Sequence, residues 1–388
     1  MTTALTIERV DLLHLSMQLL EPFVTSFGPQ RQRDIVLVRL YADGVQGWGE
    51  LVAGREPTYS EESVVTATAM LRHHLLGMVL GRTVDDPRQV ARWWAGVRGN
   101  PMAKAAVEMA VWDAWARATG RSLALTLSAA VHDGEAVAPA TAVAAGVSVG
   151  IHADAAALVD RVAGYVEQGY ARIKLKIAPG RDLTEVAAVR ERFGDARLMV
   201  DANSAYTLAD AGHLAALDAF DLTMIEQPLA HDDIVDHATL APQLRTPICL
   251  DESIRSIAHA RQALHLGACR IVNCKPGRLG GHGASLALHR WATAAGVPLW
   301  VGGMLESGVG RLHNIALASL PGFTLPGDTS ASDRYWAADI IDPPVRLSPD
   351  GTVAVPTAPG IGHAIDVERL ESVLLHTETF VPGSGDRS

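Results

Sequence analysis

The chain has 388 residues, of which 48% are hydrophobic and 20% are charged. This length and composition predict a globular protein with enough apolar residues for two domains. The net charge of −10 and the lack of a Lys/Arg cluster argue against a nucleic-acid partner.

Cysteine usage and hydropathy favour a cytoplasmic protein without a membrane partner. Two acidic residues interrupt the apolar run within residues 1–20, so this run does not resemble a signal peptide. The most apolar window, Ala136–Gly150, is short for a membrane span and is better interpreted as a buried strand. Two of the three cysteines lie in predicted strands, which argues against a disulfide framework and for a reducing compartment; the three are Cys249, Cys269 and Cys274.

The N-terminal part predicts an antiparallel meander followed by helices. Leu5–Leu15 and Asp34–Ala42 alternate or run apolar with β-branched members, as strands do, and we interpret Glu21–Arg33 between them as a loop. From Ser60 the apolar period becomes helical. The predicted helices are Ser60–Leu76, Pro87–Val97 and Met102–Thr119, and we assign residues 1–125 to an α+β capping domain.

Residues 126–329 show alternating strand and helix signals. Eight strands are the number that closes a barrel, so the pattern predicts a (β/α)8 barrel of the modified TIM type. An open doubly wound sheet is the alternative, but no Gly-rich phosphate fingerprint follows the first strand. The predicted strands are Ala144–Ser148, Arg172–Ile177, Leu198–Asp201, Met224–Glu226, Ile248–Asp251, Ile271–Lys275, Pro298–Val301 and Phe323–Leu325.

The C-terminal part is irregular in pattern. Two short strands are predicted, at Pro344–Leu347 and Thr352–Val355, and we expect residues 330–380 to fold back onto the capping domain. Residues 381–388 are predicted to form a flexible tail.

Four successive barrel strands end in a charged residue. Asp201, Glu226, Asp251 and Lys275 are spaced 25, 25 and 24 residues apart, which is roughly the length of one strand, one helix and two short loops. The C-terminal ends of barrel strands form the rim on which active sites are built. The spacing therefore predicts that three carboxylates and an amine share one site.

Alternation along the second strand places two further amines in that site. In Arg172–Ile177 the apolar residues share one face and Lys174 and Lys176 share the other. Because the apolar face must contact the surrounding helices, both lysines are expected to point into the barrel. The same alternation predicts inward positions for Met199, Met224, Cys249 and Asn273.

Carboxylates that converge without a cation repel one another, and a hard divalent ion such as Mg²⁺ removes this repulsion. A dication also favours the neutral form of a nearby lysine, which can then act as a base. A divalent ion flanked by lysine bases suits the removal of a proton α to a carboxylate. The structural alternatives are that the strand-end acids cap helices and that the lysines are solvated.

These motifs resemble the muconate-lactonizing subgroup of the enolase superfamily, and most closely its N-succinylamino-acid racemase/o-succinylbenzoate synthase branch. The resemblance covers nearly the whole chain. It is carried by the K-x-K of Lys174 and Lys176 and by the runs 201–203 (DAN), 226–228 (EQP), 251–253 (DES), 275–278 (KPGR) and 302–307 (GGMLES).

The resemblance implies that Lys176 and Lys275 exchange the α-proton on opposite faces of a small carboxylate substrate, with Lys174 assisting. It also implies that Asp201, Glu226 and Asp251 bind Mg²⁺, for which Mn²⁺ or another divalent ion can substitute, and that the chain forms a homo-oligomer. Arg278 resembles the arginine of racemising members, although an ion pair with Glu252 is an equal alternative. Further candidates for substrate binding or tuning are Asn203, Ser148, Phe27, Gly303 and Met304.

Departures from other members narrow the substrate class. The seventh strand carries no histidine, unlike acid-sugar dehydratases, and Gly327–Asp333 lacks the Asp-x-Asp of dipeptide epimerases. An N-acylated substrate therefore fits better than a free ammonium. A muconate-type cycloisomerase or a dipeptide epimerase of the same subgroup is the alternative, and a metal-dependent hydrolase or a non-catalytic barrel are hypotheses from other classes.

Overall fold

The computed structural model describes residues 4–132, 134 and 137–383. Residues 384–388, most of the predicted tail, lie outside the described residues, as does Ala136, the first residue of the apolar window.

Residues 5–131 form an antiparallel sheet and a set of helices. The strands are β1 (Leu5–Thr25), β2 (Gly28–Ala42), β3 (Val45–Leu51) and β4 (Thr83–Val84). The helices are α1 (Val64–Met70), a π-helical turn (Leu71–Leu75), α2 (Leu76–Val79), a 3-10 turn (Pro87–Gln89), α3 (Val90–Trp93), α4 (Pro101–Ala118) and α5 (Leu123–Val131).

The barrel follows, with β5 (Ala142–Ala144) preceding its first strand. Its strands are β6 (Gly146–Val149), β7 (Arg172–Lys176), β8 (Leu198–Asp201), β9 (Ile225–Glu226), β10 (Ile248–Leu250), β11 (Ile271–Cys274) and β12 (Leu299–Val301). Its helices are α6 (Ala155–Glu167), α7 (Leu183–Arg192), α8 (Ala211–Ala215), α9 (Val235–Leu240), α10 (Ile257–Leu266), α11 (Pro276–Leu279), α12 (His282–Ala295) and α13 (Gly308–Ala318), with 3-10 turns at Leu208–Asp210, Ala216–Phe220 and Ala241–Gln243.

The C-terminal part contains a 3-10 turn (Ser332–Arg334), β13 (Ile341–Asp342), β14 (Thr352–Ala354), β15 (Ala364–Ile365), α14 (Val367–Val373) and β16 (Leu374–Phe380). β16 pairs antiparallel with β1 and so completes the sheet order β16-β1-β2-β3. β14 pairs with β5. The strand predicted at Pro344–Leu347 is wrong, because this segment contributes only one isolated bridge, from Leu347 to Val353.

The predicted loop Glu21–Arg33 is also wrong, because β1 and β2 continue through it as a hairpin. The pairing register shifts between Gln18 and Phe23, which breaks the alternation that would have indicated a strand. The chain turns at Ser26 and Phe27, and Ser26 Oγ donates a hydrogen bond to the Asn203 carbonyl at 3.0 Å. The hairpin tip therefore reaches the end of a barrel strand.

Helix α4 packs directly on β3, because Gly47 and Gly49 leave no side chain between them. A Cβ at Gly47 would overlap the backbone of Ala110, and one at Gly49 would overlap that of Ala106. Helix α4 begins at Pro101, a residue suited to the first helical position.

The barrel sheet is parallel and runs in the order β12-β11-β10-β9-β8-β7-β6. The predicted eighth strand is present as two isolated parallel bridges, Leu299 to Phe323 and Ala145 to Gly327, which place residues 323–327 between the last strand and the first. Most apolar side chains of the strands join one large core with the helices. A separate small cluster fills the interior, and it consists of Met199, Met224, Cys249, Ile271 and Trp300.

Candidate active site

The three predicted acids lie side by side at the rim of the barrel and are buried. Asp201 at the end of β8 is in register with Glu226 at the end of β9, and Asp251 follows β10 directly. Their relative exposures are 1%, 0% and 0%. The helices that follow these strands begin several residues later, at Leu208, Val235 and Ile257. None of the three acids is therefore a helix N-cap, and the capping interpretation is wrong.

Lys174 and Lys176 extend from β7 into the barrel, as the alternation predicts. Lys176 Nζ lies 2.6 Å from Asp201 Oδ2 and 2.6 Å from Asn203 Oδ1. Lys174 Nζ lies 3.1 Å from Glu226 Oε2. Lys174 is 2% exposed, so its partners neutralise a charge that water does not reach.

Lys275 approaches from the other side of the carboxylates. It follows β11, which is separated from β7 by the three strands that carry the acids. Its Nζ lies 2.8 Å from Asp251 Oδ2. Lys176 and Lys275 nevertheless border the same cavity of about 530 Å³, which also contacts Phe27 and Met304.

Arg278 on α11 binds Asp251 and not Glu252, so the ion pair with Glu252 considered from the sequence is wrong. Its Nε donates to the Ile254 carbonyl at 2.7 Å, its Nη2 to the Asn273 carbonyl at 2.5 Å, and its Nη1 to Asp251 Oδ1. The guanidinium thus ties the end of β10 to the end of β11.

The carboxylates differ in the charges that surround them. Burial favours the neutral acid, but the ammonium groups of Lys176 and Lys174 outweigh it and hold the pKa of Asp201 below its ordinary value. Burial and the nearby Asp201 raise the pKa of Glu226. Burial and Asp201 also raise the pKa of Glu252 to about 7. Negative charge is therefore only partly compensated at the centre of the rim.

The pKa of Lys275 is raised, although the positive charge of the neighbouring Arg278 would by itself lower it. Burial favours the neutral amine, but Tyr59 and the carboxylate of Glu226 outweigh it. The positive charge of Arg278 is directed at Asp251, with which it forms a buried ion pair.

The donor set fits a hard divalent cation, since it consists of three buried carboxylates on adjacent strands. They are not gathered around one point in this conformation. Among the described residues, the one set of three His, Cys or acidic ligand atoms within 4.8 Å lies in the first domain. The basic side chains explain why the carboxylates lie apart. Asp201 is ion-paired with Lys176, whereas Asp251 is ion-paired with Lys275 and Arg278.

The further candidates for substrate binding or tuning lie around the cavity bordered by Lys176 and Lys275 or directly beneath it. Asn203 contacts Lys176 and also donates to Glu252 Oε1 at 2.9 Å. Ser148 on β6 is buried and donates to Asp328 Oδ1 at 3.1 Å. Phe27 lies at the hairpin tip and is 41% exposed. Gly303 and Met304 line the cavity together with Phe27.

The sequence predicted no direct role for Asp328, although the structure places it in the site. Its Oδ2 lies 2.8 Å from Lys174 Nζ, and its Oδ1 lies 2.9 Å from Arg172 Nη2. These cations outweigh the effect of burial and hold the pKa of Asp328 below its ordinary value. Asp328 directly follows the strand-like segment 323–327, just as the three other acids end or follow barrel strands. This position at a strand end could have identified it from the sequence.

Tyr59 and Trp300 were missed as well. Tyr59 comes from the first domain, and its hydroxyl lies 3.0 Å from Asp251 Oδ1 and 3.2 Å from Lys275 Nζ. The Trp300 ring lies 4.8 Å from Lys174 Nζ, at which distance a cation–π interaction stabilises the ammonium. No local pattern links Tyr59 to the barrel, because 192 residues separate it from Asp251.

Two family descriptions match this chain. "Mandelate racemase / muconate lactonizing enzyme, N-terminal domain" covers residues 8–127, and "Enolase C-terminal domain-like" covers residues 157–370. The chain therefore belongs to the mandelate racemase/muconate lactonizing enzyme family of the enolase superfamily, as the motifs predicted. The fold, an N-terminal capping domain with a TIM-like barrel, agrees with this membership.

Named relatives and a solved structure match over nearly the full chain. An o-succinylbenzoate synthase from Geobacillus stearothermophilus is 49% identical over 378 residues, 97% of this chain and 98% of the relative. An N-succinylamino acid racemase from Thermus thermophilus is 48% identical over 369 residues, 95% and 97% of the two chains. The crystal structure of an enolase superfamily member from Listeria innocua superposes with a TM-score of 0.91 at 41% identity, covering 98% of this chain and 100% of that one.

These similarities identify the chain as an enzyme of this superfamily. None of the helices within the described residues combines the length and apolar character needed to cross a membrane.

Proposed function

We propose that this enzyme removes the α-proton of a carboxylate substrate with two lysine bases, and that it acts as an N-acylamino acid (N-succinylamino acid) racemase, as an o-succinylbenzoate synthase, or as both. The observation that carries the proposal is the placement of Lys176 and Lys275. They border one cavity from strands on either side of the acids. Two relatives, an o-succinylbenzoate synthase at 49% identity and an N-succinylamino acid racemase at 48% identity, support these two activities.

Asp201, Glu226 and Asp251 would hold a divalent cation, Mg²⁺ by preference, with Mn²⁺ or another divalent ion as a substitute. Oxygen donors on adjacent strands suit such an ion. When bound, it would stabilise the negative charge that develops on the carboxylate oxygens of the substrate as the α-proton leaves, and it would replace Lys176 and Lys275 as the partner of Asp201 and Asp251. The buried and partly uncompensated charge of Glu226 supports this assignment.

Lys176 and Lys275 then act on opposite faces of the substrate. In racemisation, one lysine takes the α-proton and the other returns a proton to the opposite face. In the synthase reaction, one lysine takes the proton and then protonates the departing hydroxyl, while the other serves as a cation beside the substrate. Lys174 stays charged, since Glu226 and Asp328 contact it, and it assists electrostatically.

The lining of the cavity supports an N-acylated substrate. Phe27, Met304 and Leu305 contribute apolar surface to the cavity that Lys176 and Lys275 border. At the closing segment of the barrel, Asp328 is already paired with Lys174 and Arg172, so it has no free capacity for a substrate ammonium. A muconate-type cycloisomerase or a dipeptide epimerase stays the alternative, and no contact in this cavity favours either.

We further propose that the enzyme works in the cytoplasm and as a homo-oligomer. Cys249, Cys269 and Cys274 are free and buried, which suits a reducing compartment. Association was implied by the family resemblance and stays a prediction.

The experiment that tests the proposed function is α-hydrogen exchange in D₂O. The enzyme is incubated with Mg²⁺ and a panel of N-succinyl and N-acetyl amino acids, and deuterium incorporation is followed by NMR. Dehydration to o-succinylbenzoate is measured in parallel. We expect exchange for part of the panel, and loss of exchange in Asp251→Asn. No exchange across the panel and no dehydration would overturn the proposal.

A further inference from the structure

A second group of metal-type ligands lies in the first domain, away from the barrel. His14 on β1 and His376 on β16 are directly opposed in the antiparallel register. Glu378 lies two residues beyond His376 and therefore on the same face of the sheet. The imidazole rings are stacked with their centroids 4.0 Å apart and their planes at 14°. Three ligand side chains thus converge at the edge of the sheet.

The distances within this group suit a tetrahedral ion. His14 Nε2 lies 2.9 Å and His376 Nε2 lies 3.8 Å from Glu378 Oε1, and the three ligand atoms lie within 4.8 Å of one another. Tetrahedral bonds of about 2.0–2.1 Å to Zn²⁺ separate neighbouring ligands by roughly 3.3 Å. The observed spacings bracket this value, and ligation requires the two stacked imidazole rings to rotate until their nitrogen lone pairs converge on the ion.

The group is accessible and held in place. The side chains of His14 and Glu378 are 14% and 22% exposed, and that of His376 is 56% exposed, so an ion can enter from solvent. Arg72 donates from Nε to Glu378 Oε2 and from Nη2 to Glu378 Oε1, each at 2.8 Å, and thereby fixes the carboxylate. Arg72 belongs to the π-helical turn, a rare element that is often found at functional sites.

The chemistry of the donors separates this group from the barrel rim. Two imidazoles and one carboxylate suit Zn²⁺ and related transition metals, whereas the rim offers only carboxylates.

We propose that His14, His376 and Glu378 form a second metal site, for Zn²⁺ or a similar transition-metal ion, with water as the remaining ligand. The ion links the C-terminal strand β16 to β1 and stabilises the edge of the sheet. This role is independent of the proton transfer at the barrel rim.

The test counts Zn²⁺ bound to the full-length protein by equilibrium dialysis in millimolar Mg²⁺. Wild type is compared with His376→Gln, and with His265→Gln as a matched control at an exposed histidine of α10, outside the site. Asp251→Asn is included because it weakens the proposed rim site. We expect one equivalent that persists in His265→Gln and in Asp251→Asn and that binds at least about tenfold more weakly in His376→Gln.

Zn²⁺ is also expected to raise the Tm of wild type by a few degrees, because an ion that binds only the folded state stabilises it. This shift should vanish in His376→Gln, whose basal activity with Mg²⁺ stays unchanged. Equal Zn²⁺ affinity in wild type and His376→Gln would overturn the proposal. Loss of the only equivalent in Asp251→Asn would also overturn it, since all Zn²⁺ would then bind at the rim.

Discussion

Replacing Asp328 by Asn tests whether this residue organises the lysine side of the site. Asp328 is the shared partner of Arg172 and Lys174, whose side chains are 2% and 3% exposed. Removing one member of a buried ion pair leaves an uncompensated charge and costs about 3–5 kcal/mol. We therefore expect Asp328→Asn to lower the free energy of unfolding by about 3 kcal/mol or more.

The assay is urea unfolding followed by fluorescence, in parallel with α-hydrogen exchange. Exchange should slow in Asp328→Asn, because Lys174 then keeps Glu226 but loses the shorter of the two carboxylate contacts that position its ammonium group. Asp333→Asn is the matched control, because Asp333 is exposed and a surface change of this kind stays within about 0.5 kcal/mol. A loss below about 1 kcal/mol in Asp328→Asn, with normal exchange, would refute the reasoning.

Three further predictions concern other parts of the molecule. Arg278→Met removes hydrogen bonds to two backbone carbonyls and an ion pair with Asp251, so stability should fall by about 3 kcal/mol along with activity; loss of activity alone would instead indicate a purely tuning role. Glu50 is buried, and burial raises its pKa from 4.5 to about 7, so its folded state binds a proton that the unfolded state has lost. Its contribution to the free energy of unfolding is present below pH 4.5 and declines by on the order of 3 kcal/mol as pH rises to 7. Glu50→Gln should reduce this dependence of stability on pH, as measured by denaturant unfolding across that range. Phe27→Ala should raise KM for an apolar N-acyl substrate about fivefold without changing Tm, since Phe27 is 41% exposed and borders the cavity; unchanged KM across the panel would remove Phe27 from the substrate site.

The barrel and its rim could be predicted because their signals are local. Period-two alternation in Arg172–Lys176 determines which lysines face inward, and the length of a βα unit determines the spacing of Asp201, Glu226 and Asp251. The prediction of inward Met199 and Met224 is confirmed by the interior cluster.

The hairpin at the barrel mouth could not be predicted from alternation. A register shift after Gln18 interrupts the two-residue period, and Pro22 and Pro29 are typical of loops. The hydrogen bonds between β1 and β2 continue past this shift. They depend on a pairing partner that the sequence of one strand does not reveal.

The partners of the charged groups were also beyond local reasoning. The sequence allowed an ion pair between Arg278 and Glu252, whereas the fold brings the guanidinium to Asp251. Tyr59 reaches Asp251 and Lys275 only after the first domain has packed on the barrel. Such contacts depend on tertiary structure, as does the direction of the pKa shift of Lys275.

The most direct test of the two-lysine account is to follow each enantiomer of one N-succinyl amino acid separately in D₂O, with Lys176→Ala and Lys275→Ala. The account predicts that both variants lose racemisation and that each retains exchange of one enantiomer, the opposite one in each case. Racemisation that survives either substitution, or exchange of the same enantiomer by both variants, would contradict it.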